Sequence, residues 1–286
     1  MTMKRIIQLS VTFILFGAYM PVNADKVNQD WEQRTTEKLA GNLESTATDV
    51  VWLDTGGTDF LALYNEQSNG YAKGAIIILH AMGTHADWPQ IISPIRTKLP
   101  NQGWSTLSIQ LPLIAPENQI EDYGGTLAQS VGRIGAAIKF LRERQFTNIV
   151  VIGHSFGAAL ALAYLEKQKN QNIGALVAIG LQNYAFLKPA MDILALITKT
   201  KIPVLDIYGD RDFKNVIKRA PDRRLAAKKG NNERYTQLEI EGADHYFTGM
   251  EDILIQQILE WLDKAGSDLP FVVYEGHDIN MGKYAK

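Results

Sequence analysis

Residues 153–157 read Gly-His-Ser-Phe-Gly, and they connect a β-branched run at 149–152 to an alanine- and leucine-rich run at 158–163. This order predicts a strand, a sharp turn and a helix, with the hydroxyl of Ser155 presented at the end of the strand. The backbone of a residue at such a turn is strained, so its neighbours must be small, and the two glycines meet that requirement. We predict that Ser155 is a nucleophile; the alternative is an ordinary glycine-containing turn.

A serine hydroxyl is a poor nucleophile at neutral pH, so it needs a general base, and the base needs a carboxylate that holds its tautomer. The sequence offers Asp212 and His245 in that chain order, each just past the end of a predicted strand. Parallel strands bring their carboxyl ends to one edge of a sheet, where these side chains can meet Ser155. We predict Asp212 as the acid and His245 as the base, and Asp210 stays open as an alternative acid. His154 lies inside the turn and is expected to point away from the serine.

The oxyanion that forms during acyl transfer needs two backbone N–H donors. Phe156, directly after the serine, is expected to supply one, and the loop at 80–89 the other, with Met82 as the candidate donor. Side chains from the surrounding loops are candidate substrate contacts or walls of the site, although each could instead pack beneath its own loop. The predicted substrate-binding residues are Trp88, Tyr184 and Tyr246, and the other predicted walls of the site are Leu181, Gln182 and Phe186.

Short apolar runs alternate with helix-period stripes from residue 49 to residue 262, which predicts βαβ units. The fold class is therefore α/β, a doubly wound and mainly parallel sheet. Residues 180–201 have room for one helix but not for a large cap domain, so an open or shallow site is expected. The predicted strands are 50–53, 60–64, 75–79, 104–111, 148–152, 175–179, 204–208 and 235–240, and the predicted helices are 89–99, 125–141, 156–168, 187–197 and 251–262.

The first 24 residues have a basic start, a short apolar stretch and a small residue at the exit, which predicts a secretory signal peptide cleaved after Ala24. The alternative is a membrane anchor, but polar residues and a proline interrupt the stretch, so no stable membrane span is expected after cleavage. Residues 25–48 form a predicted loosely packed polar leader, and residues 49–286 a single domain. Within that domain the role of residues 265–286 is left open.

The composition is that of a globular protein: 286 residues, 46% hydrophobic, with a formal net charge of −2 and no cysteine. No basic stripe is present, so nucleic acid is not an expected partner. No metal-ligand cluster, phosphate-binding glycine loop or nucleotide fingerprint is present either, so neither a metal nor a cofactor is expected. An exported protein without cysteine fits a bacterial periplasm or the external medium. The sequence leaves the oligomeric state open.

Residues 72–264 resemble the α/β-hydrolase superfamily, in the segments 79–83 (Leu-His-Ala-Met-Gly), 153–157, 209–212 (Gly-Asp-Arg-Asp) and 242–245 (Gly-Ala-Asp-His). Further segments, at 87–89, 103–108 and 110–112, are similar to a bacterial family of exported hydrolase-like proteins. The resemblance implies that Ser155, Asp212 and His245 form the catalytic triad and that Met82 and Phe156 form the oxyanion hole. One position departs from the superfamily pattern: Ala81 replaces a glycine, and it would be strained there if the backbone required a positive φ.

These observations predict an exported serine hydrolase that cleaves carboxylic esters through an acyl-enzyme, with a small-molecule or envelope-derived ester as its substrate. The sequence does not identify that substrate. A peptidase or an acyltransferase could use the same three side chains. A non-catalytic cell-envelope protein that keeps the scaffold as a binding module is the alternative from another class.

Overall fold

Strands and helices alternate along the chain in the computed structural model, which describes residues 24–43, 47–167 and 173–265. The strands are β1 Asp49–Asp54, β2 Asp59–Asn65, β3 Gly74–Leu79, β4 Trp104–Ile109, β5 Ile149–His154, β6 Ala175–Ile179, β7 Val204–Arg211 and β8 Tyr235–Asp244. Within the described residues they form one eight-stranded sheet in the order β1-β2-β4-β3-β5-β6-β7-β8. β2 pairs antiparallel with both β1 and β4, and the other pairs are parallel.

Helices cover both faces of this sheet. They are α1 Ala24–Leu43, α2 Ile92–Lys98, α3 Leu127–Glu143, α4 Phe156–Lys167, α5 Ile193–Lys199, α6 Lys214–Lys229 and α7 Glu251–Ala265, with 3-10 turns at Leu99–Gln102 and Ile120–Thr126. The doubly wound, mainly parallel α/β fold is confirmed, and only the short connection at 180–192 separates β6 from α5. None of the helices in the described ranges is long and apolar enough to cross a membrane. The predicted signal peptide up to residue 23 and the tail from residue 266 lie outside the described residues.

The core has two halves because successive side chains of a strand point to opposite faces. Ile77 of β3 packs into the cluster that also contains buried residues of α3 and α4, whereas Ile76 and Ile78 pack into the cluster with buried residues of α2 and α7. β3, β4, β5 and β6 are buried at every position. This explains why β3, β5 and β6 read as nearly continuous apolar runs rather than as alternating ones, whereas β4 also buries Ser105, Thr106 and Ser108.

α6 is the helix that the sequence pattern did not predict. Its buried positions are small or charged, apart from Val216, and Pro221 lies inside it. One of these buried residues, Arg223, donates from Nε to Oδ2 of Asp206 on β7 at 2.8 Å. A helix attached to the sheet by an ion pair lacks the apolar stripe from which helices are predicted.

The predicted polar leader is helical up to Leu43 (α1), and this helix is attached more closely to the domain than the sequence suggested. Glu32 of α1 is buried, and its Oε1 lies 2.6 Å from an Nη atom of Arg133 on α3. Its Oε2 accepts the backbone N–H of Leu113 at 3.0 Å. Thr36 and Ala40, one and two turns further along α1, are also buried. The leader therefore packs onto the domain beside the loop that follows β4.

Candidate active site

Ser155 lies in the turn between β5 and α4 with a φ of 53°, in the left-handed region that side chains other than glycine rarely adopt. Its backbone N–H donates to the carbonyl of Ile179 on the neighbouring strand β6 at 2.7 Å. A Cβ on Gly157 would overlap the carbonyl oxygen of Leu79 at the end of β3. The glycine thus allows the first turn of α4 to lie directly on β3, which presents the serine at the carboxyl edge of the sheet.

Asp212 and His245 meet at the same edge. Asp212 directly follows β7 and His245 directly follows β8, and these two strands are neighbours. Nδ1 of the imidazole lies 2.6 Å from Oδ1 of the carboxylate, and both residues are buried. With its Nδ1–H donating to a carboxylate, the histidine carries its lone pair on Nε2, as a general base requires. Asp210 is exposed, and its Oδ1 instead accepts the N–H of Gly242 at 2.7 Å.

Aromatic rings enclose the imidazole of His245. Phe213 stacks on it with ring centroids 4.0 Å apart, and Tyr246 meets it edge-on at 5.2 Å. His154 does not contact the serine side chain; its Nε2–H donates to the main-chain carbonyl of His245 at 3.0 Å. Burial lowers the pKa of His154 to about 3. This histidine is therefore neutral at pH 7. Its hydrogen bond connects the segment that carries His245 to the turn that carries Ser155.

Two polar side chains reach the hydroxyl of Ser155. The hydroxyl of Tyr184 lies 3.0 Å from Oγ, and Nε2 of Gln182 lies 3.2 Å from it. Among the described residues these are the side-chain hydrogen-bond partners of Oγ, and His245 is not one of them. Catalytic hydrogen bonds are often long without substrate and tighten only when substrate binds.

The site is covered, which corrects the expectation of an open or shallow one. Ser155 is 3% exposed, His245 4% and Tyr184 0%. The connection at 180–192 is too short for a cap domain, but it folds back over the serine. The N–H of Lys188 in this connection donates to the carbonyl of Glu121 at 2.8 Å. The distance of this loop from the serine could not be judged from its length.

The candidate oxyanion donors lie at the start of α4 and in the loop that follows β3. Phe156 opens α4, so its amide belongs to the first turn, which has no partner within the helix. Met82 follows β3 and is half-buried. Outside glycine, positive φ values in the described residues occur only at Gln145, Ser155, Asn231 and Phe247. Ala81 is not among them, so alanine is not strained at the position where the superfamily has glycine.

His80 anchors the loop that carries Met82. It is buried; its Nδ1–H donates to the carbonyl of Ala81 at 2.8 Å, and its Nε2 accepts the N–H of Leu111 at 2.9 Å. Burial lowers its pKa to about 3, so the ring is neutral at pH 7. From the sequence, His80 was identified only as part of the loop at 80–89. Nothing in the neighbouring residues indicates its structural role.

The three predicted substrate-contact aromatics have different surroundings. Tyr184 lies on the serine and Tyr246 on His245, whereas Trp88 meets the ring of His85 at 5.3 Å and packs against the core cluster of α2 and α7. Trp88 therefore packs beneath its own loop, which is the alternative that the sequence left open. Sequence reasoning missed Phe213, although its position directly after Asp212 was a usable signal.

Comparisons with known proteins agree with this fold. A model of the family described as "Protein of unknown function (DUF3530)" matches residues 18–130 and 125–264. No curated protein matches the sequence.

Solved structures of similar fold include three hydrolases. The esterase Est1E from Butyrivibrio proteoclasticus is 16% identical, with a TM-score of 0.62 over 76% of this chain and 99% of its own. A dienelactone hydrolase from Anabaena variabilis is 19% identical, with a TM-score of 0.61 over 77% of this chain and 99% of its own. An esterase from Pyrococcus furiosus is 19% identical, with a TM-score of 0.61 over 76% of this chain and 92% of its own. At these identities the likeness shows the α/β-hydrolase fold, and that resemblance is confirmed.

Proposed function

This chain belongs to the DUF3530 family of proteins of unknown function, and we propose that it is an exported serine hydrolase that cleaves carboxylic esters through an acyl-enzyme. The observation that carries the proposal is the buried Asp212–His245 pair, 2.6 Å between Oδ1 and Nδ1, at the edge of the sheet where the strained turn presents Ser155. A positioned nucleophile beside an oriented base is the arrangement that acyl transfer requires.

The proposed reaction has two half-reactions. Nε2 of His245 takes the proton of Ser155 as Oγ bonds to the ester carbonyl carbon, and the carbonyl π electrons move onto its oxygen. The amides of Met82 and Phe156 receive this oxyanion. Its collapse breaks the ester bond, and the leaving alcohol takes the proton from His245. Water then attacks the acyl-enzyme with His245 again as base, releasing the acid and restoring the serine.

The rim of the site favours an ester with an apolar acyl or aryl group. Phe213, stacked on His245, is 45% exposed, and Phe186, 5.9 Å from the ring of Tyr184, is 41% exposed. Large exposed apolar side chains beside a buried polar centre are typical of a substrate entrance. Est1E has been solved with ferulic acid bound. A feruloyl ester therefore belongs in the substrate panel, together with p-nitrophenyl esters of increasing acyl length.

Labelling with a fluorophosphonate tests the proposal, because this reagent reacts with an activated serine and a binding module would not react. The mature protein should be labelled and should hydrolyse p-nitrophenyl acetate, and Ser155→Ala should abolish both. The matched control is Ser130→Ala, which removes another buried serine hydroxyl whose bond is to the carbonyl of Thr126. Absence of labelling in the wild type would refute the proposal in favour of a non-catalytic binding module. Equal labelling of Ser155→Ala would refute the assignment of Ser155, because the reactive nucleophile would then be another residue.

Two further measurements address the remaining parts of the proposal. Product analysis with ester, peptide and envelope-polymer substrates separates an esterase from a peptidase or an acyltransferase. Mass spectrometry of the mature N-terminus tests export: cleavage after Ala24 is expected, and an intact N-terminus in the envelope fraction would contradict it.

A further inference from the structure

We propose that the hydroxyl of Tyr184 and the side-chain amide of Gln182 form a second, side-chain half of the oxyanion site at Ser155. The inference rests on the proposed function and deepens it by adding two catalytic residues. Both groups touch the reacting atom itself: the Tyr184 hydroxyl lies 3.0 Å from Oγ and the Gln182 Nε2 3.2 Å.

The hydrogen-bonding capacity of the serine oxygen agrees with this assignment. A hydroxyl has two lone pairs and one proton. Gln182 can only donate from Nε2, and a donating Tyr184 fills the second lone pair of the resting enzyme, so the serine proton points to neither of them. One of the two donors must leave Oγ when a lone pair of Oγ attacks the ester carbon. The negative charge develops on the carbonyl oxygen, which is bonded to the same carbon as Oγ after attack, so the donors that contact Oγ in the resting enzyme lie one atom away from it.

The ring of Tyr184 lies against the residue that supplies the proposed backbone donor. The ring packs against Phe156 with centroids 5.2 Å apart, and Phe156 is the residue whose amide is the proposed backbone donor. A carbonyl oxygen bound near that amide is also within reach of a donor that already contacts Oγ.

Tyr184 keeps its proton through the cycle. Burial raises the pKa of its phenol well above the ordinary value. It therefore does not serve as a base, and the proton that moves in each half-reaction remains the one that passes between Ser155 and His245.

The connection that carries both donors is held in place from two sides. The carbonyl of Tyr184 accepts the N–H groups of Leu187 and Met191, each at 3.2 Å. A Cβ on Gly124 would come within 2.5 Å of the Lys188 carbonyl, so the 3-10 turn at 120–126 lies directly against the connection. A segment fastened in this way is suited to preorganised donors rather than to a loose cover.

Kinetics of Tyr184→Phe test the inference, since this variant keeps the ring and removes only the hydroxyl. We expect kcat for p-nitrophenyl acetate to fall about 100-fold with little change in KM, because the lost interaction belongs to the transition state. Binding of a boronic acid, whose tetrahedral adduct carries the same charge, should weaken by a similar factor. Gln182→Met, at a half-buried position, should lower kcat about tenfold, because the hydrogen bond that its Nε2 donates is the longer of the two. It provides a second variant if Tyr184→Phe does not fold.

Tyr235→Phe is the matched control. It removes another tyrosine hydroxyl, bonded at 2.7 Å to Oδ2 of Asp206 and outside the proposed machinery. It should retain kcat whatever it does to the melting temperature. Unchanged kcat in both site variants, or a rise in either, would overturn the inference, and a rise would mean that the loop obstructs the serine. An inactive, unlabelled wild type is a different result: it refutes the proposed function, and this inference falls with it.

Discussion

The imidazole of His245 lies directly against Gly180, where an added Cβ would come within 2.9 Å of Cε1 and 3.0 Å of Nδ1. Gly180 directly follows β6, has a φ of 59°, and donates its N–H to the carbonyl of Ile207 on β7 at 2.9 Å. It lies between the two halves of the site, because Ser155 donates to the preceding residue, Ile179. Because position 180 has no side chain, the imidazole of His245 and the carboxylate of Asp212 have room to lie there.

Gly180→Ala should consequently lose activity through displacement of the imidazole. We expect kcat/KM to fall by about 100-fold or more, since a shift of about 1 Å in a catalytic group costs that much. The control is Gly249→Ala, with a similar φ of 73° but no atom within 4 Å of the added Cβ. Both variants should lose about 1 kcal/mol or more of unfolding free energy through backbone strain. Full activity in Gly180→Ala would show that His245 tolerates the displacement or takes no part in the chemistry.

Asp212→Asn should nearly abolish activity, whereas Asp210→Asn should leave it within a few-fold of the wild type. The asparagine keeps the shape of the side chain but no longer enforces the Nδ1–H tautomer of His245, and such a change costs about 10⁴-fold in kcat in a serine triad. Asp210 is exposed and accepts only the N–H of Gly242 in the described hydrogen bonds, so it is a closely matched control. Steady-state hydrolysis of p-nitrophenyl acetate distinguishes the two, and the reverse ranking would transfer the role of acid to Asp210.

His80 should make the folded protein sensitive to acid. Burial lowers its pKa from 6.5 to about 3, so below pH 6.5 the unfolded chain takes up a proton that the folded protein does not. Stability is thus fully present above the unfolded pKa and is lost as the pH falls from 6.5 towards 3, by about 1.4 kcal/mol per pH unit.

Urea unfolding of wild type and His80→Gln between about pH 4.5 and pH 6 measures this contribution. The variant should show a slope of unfolding free energy against pH that is smaller by about 1.4 kcal/mol per unit. His154, whose pKa is also lowered to about 3 by burial, contributes equally to both proteins and cancels in the difference, as do the carboxylates. Parallel curves for the two proteins would mean that His80 is protonated in the folded state.

Much of the fold followed from local patterns. The continuous apolar runs of β3, β5 and β6 and the motif around Ser155 are properties of contiguous residues, so hydrophobic period and turn chemistry are enough to recognise them. α6 was missed because its attachment is Arg223 to Asp206, a contact across 17 positions of the chain. The described start of α2, at Ile92 rather than at 89, shows the usual uncertainty of helix ends.

The choice between Asp210 and Asp212 shows where local pattern is insufficient. Residues two apart on a strand point to the same face, so alternation cannot separate them. The β7–β8 pairing has a register irregularity between Gly209 and Arg211. Past it, Asp212 turns to His245 while Asp210 binds Gly242. The roles of these residues in catalysis stay predictions until the variants are measured.

The sequence alone determined three features: the strand–turn–helix at Ser155, the chain order of serine, aspartate and histidine, and the alternation of strands and helices that makes a parallel sheet. Each of them is a property of local residue order. Only the folded chain shows which polar side chains pair with each other. Asp212 pairs with His245, Tyr184 and Gln182 pair with Ser155, and His154 binds the main-chain carbonyl of His245. These partners lie tens of residues apart, and which of them meet depends on the path of loops whose conformation is set by packing and hydrogen bonding across the whole domain.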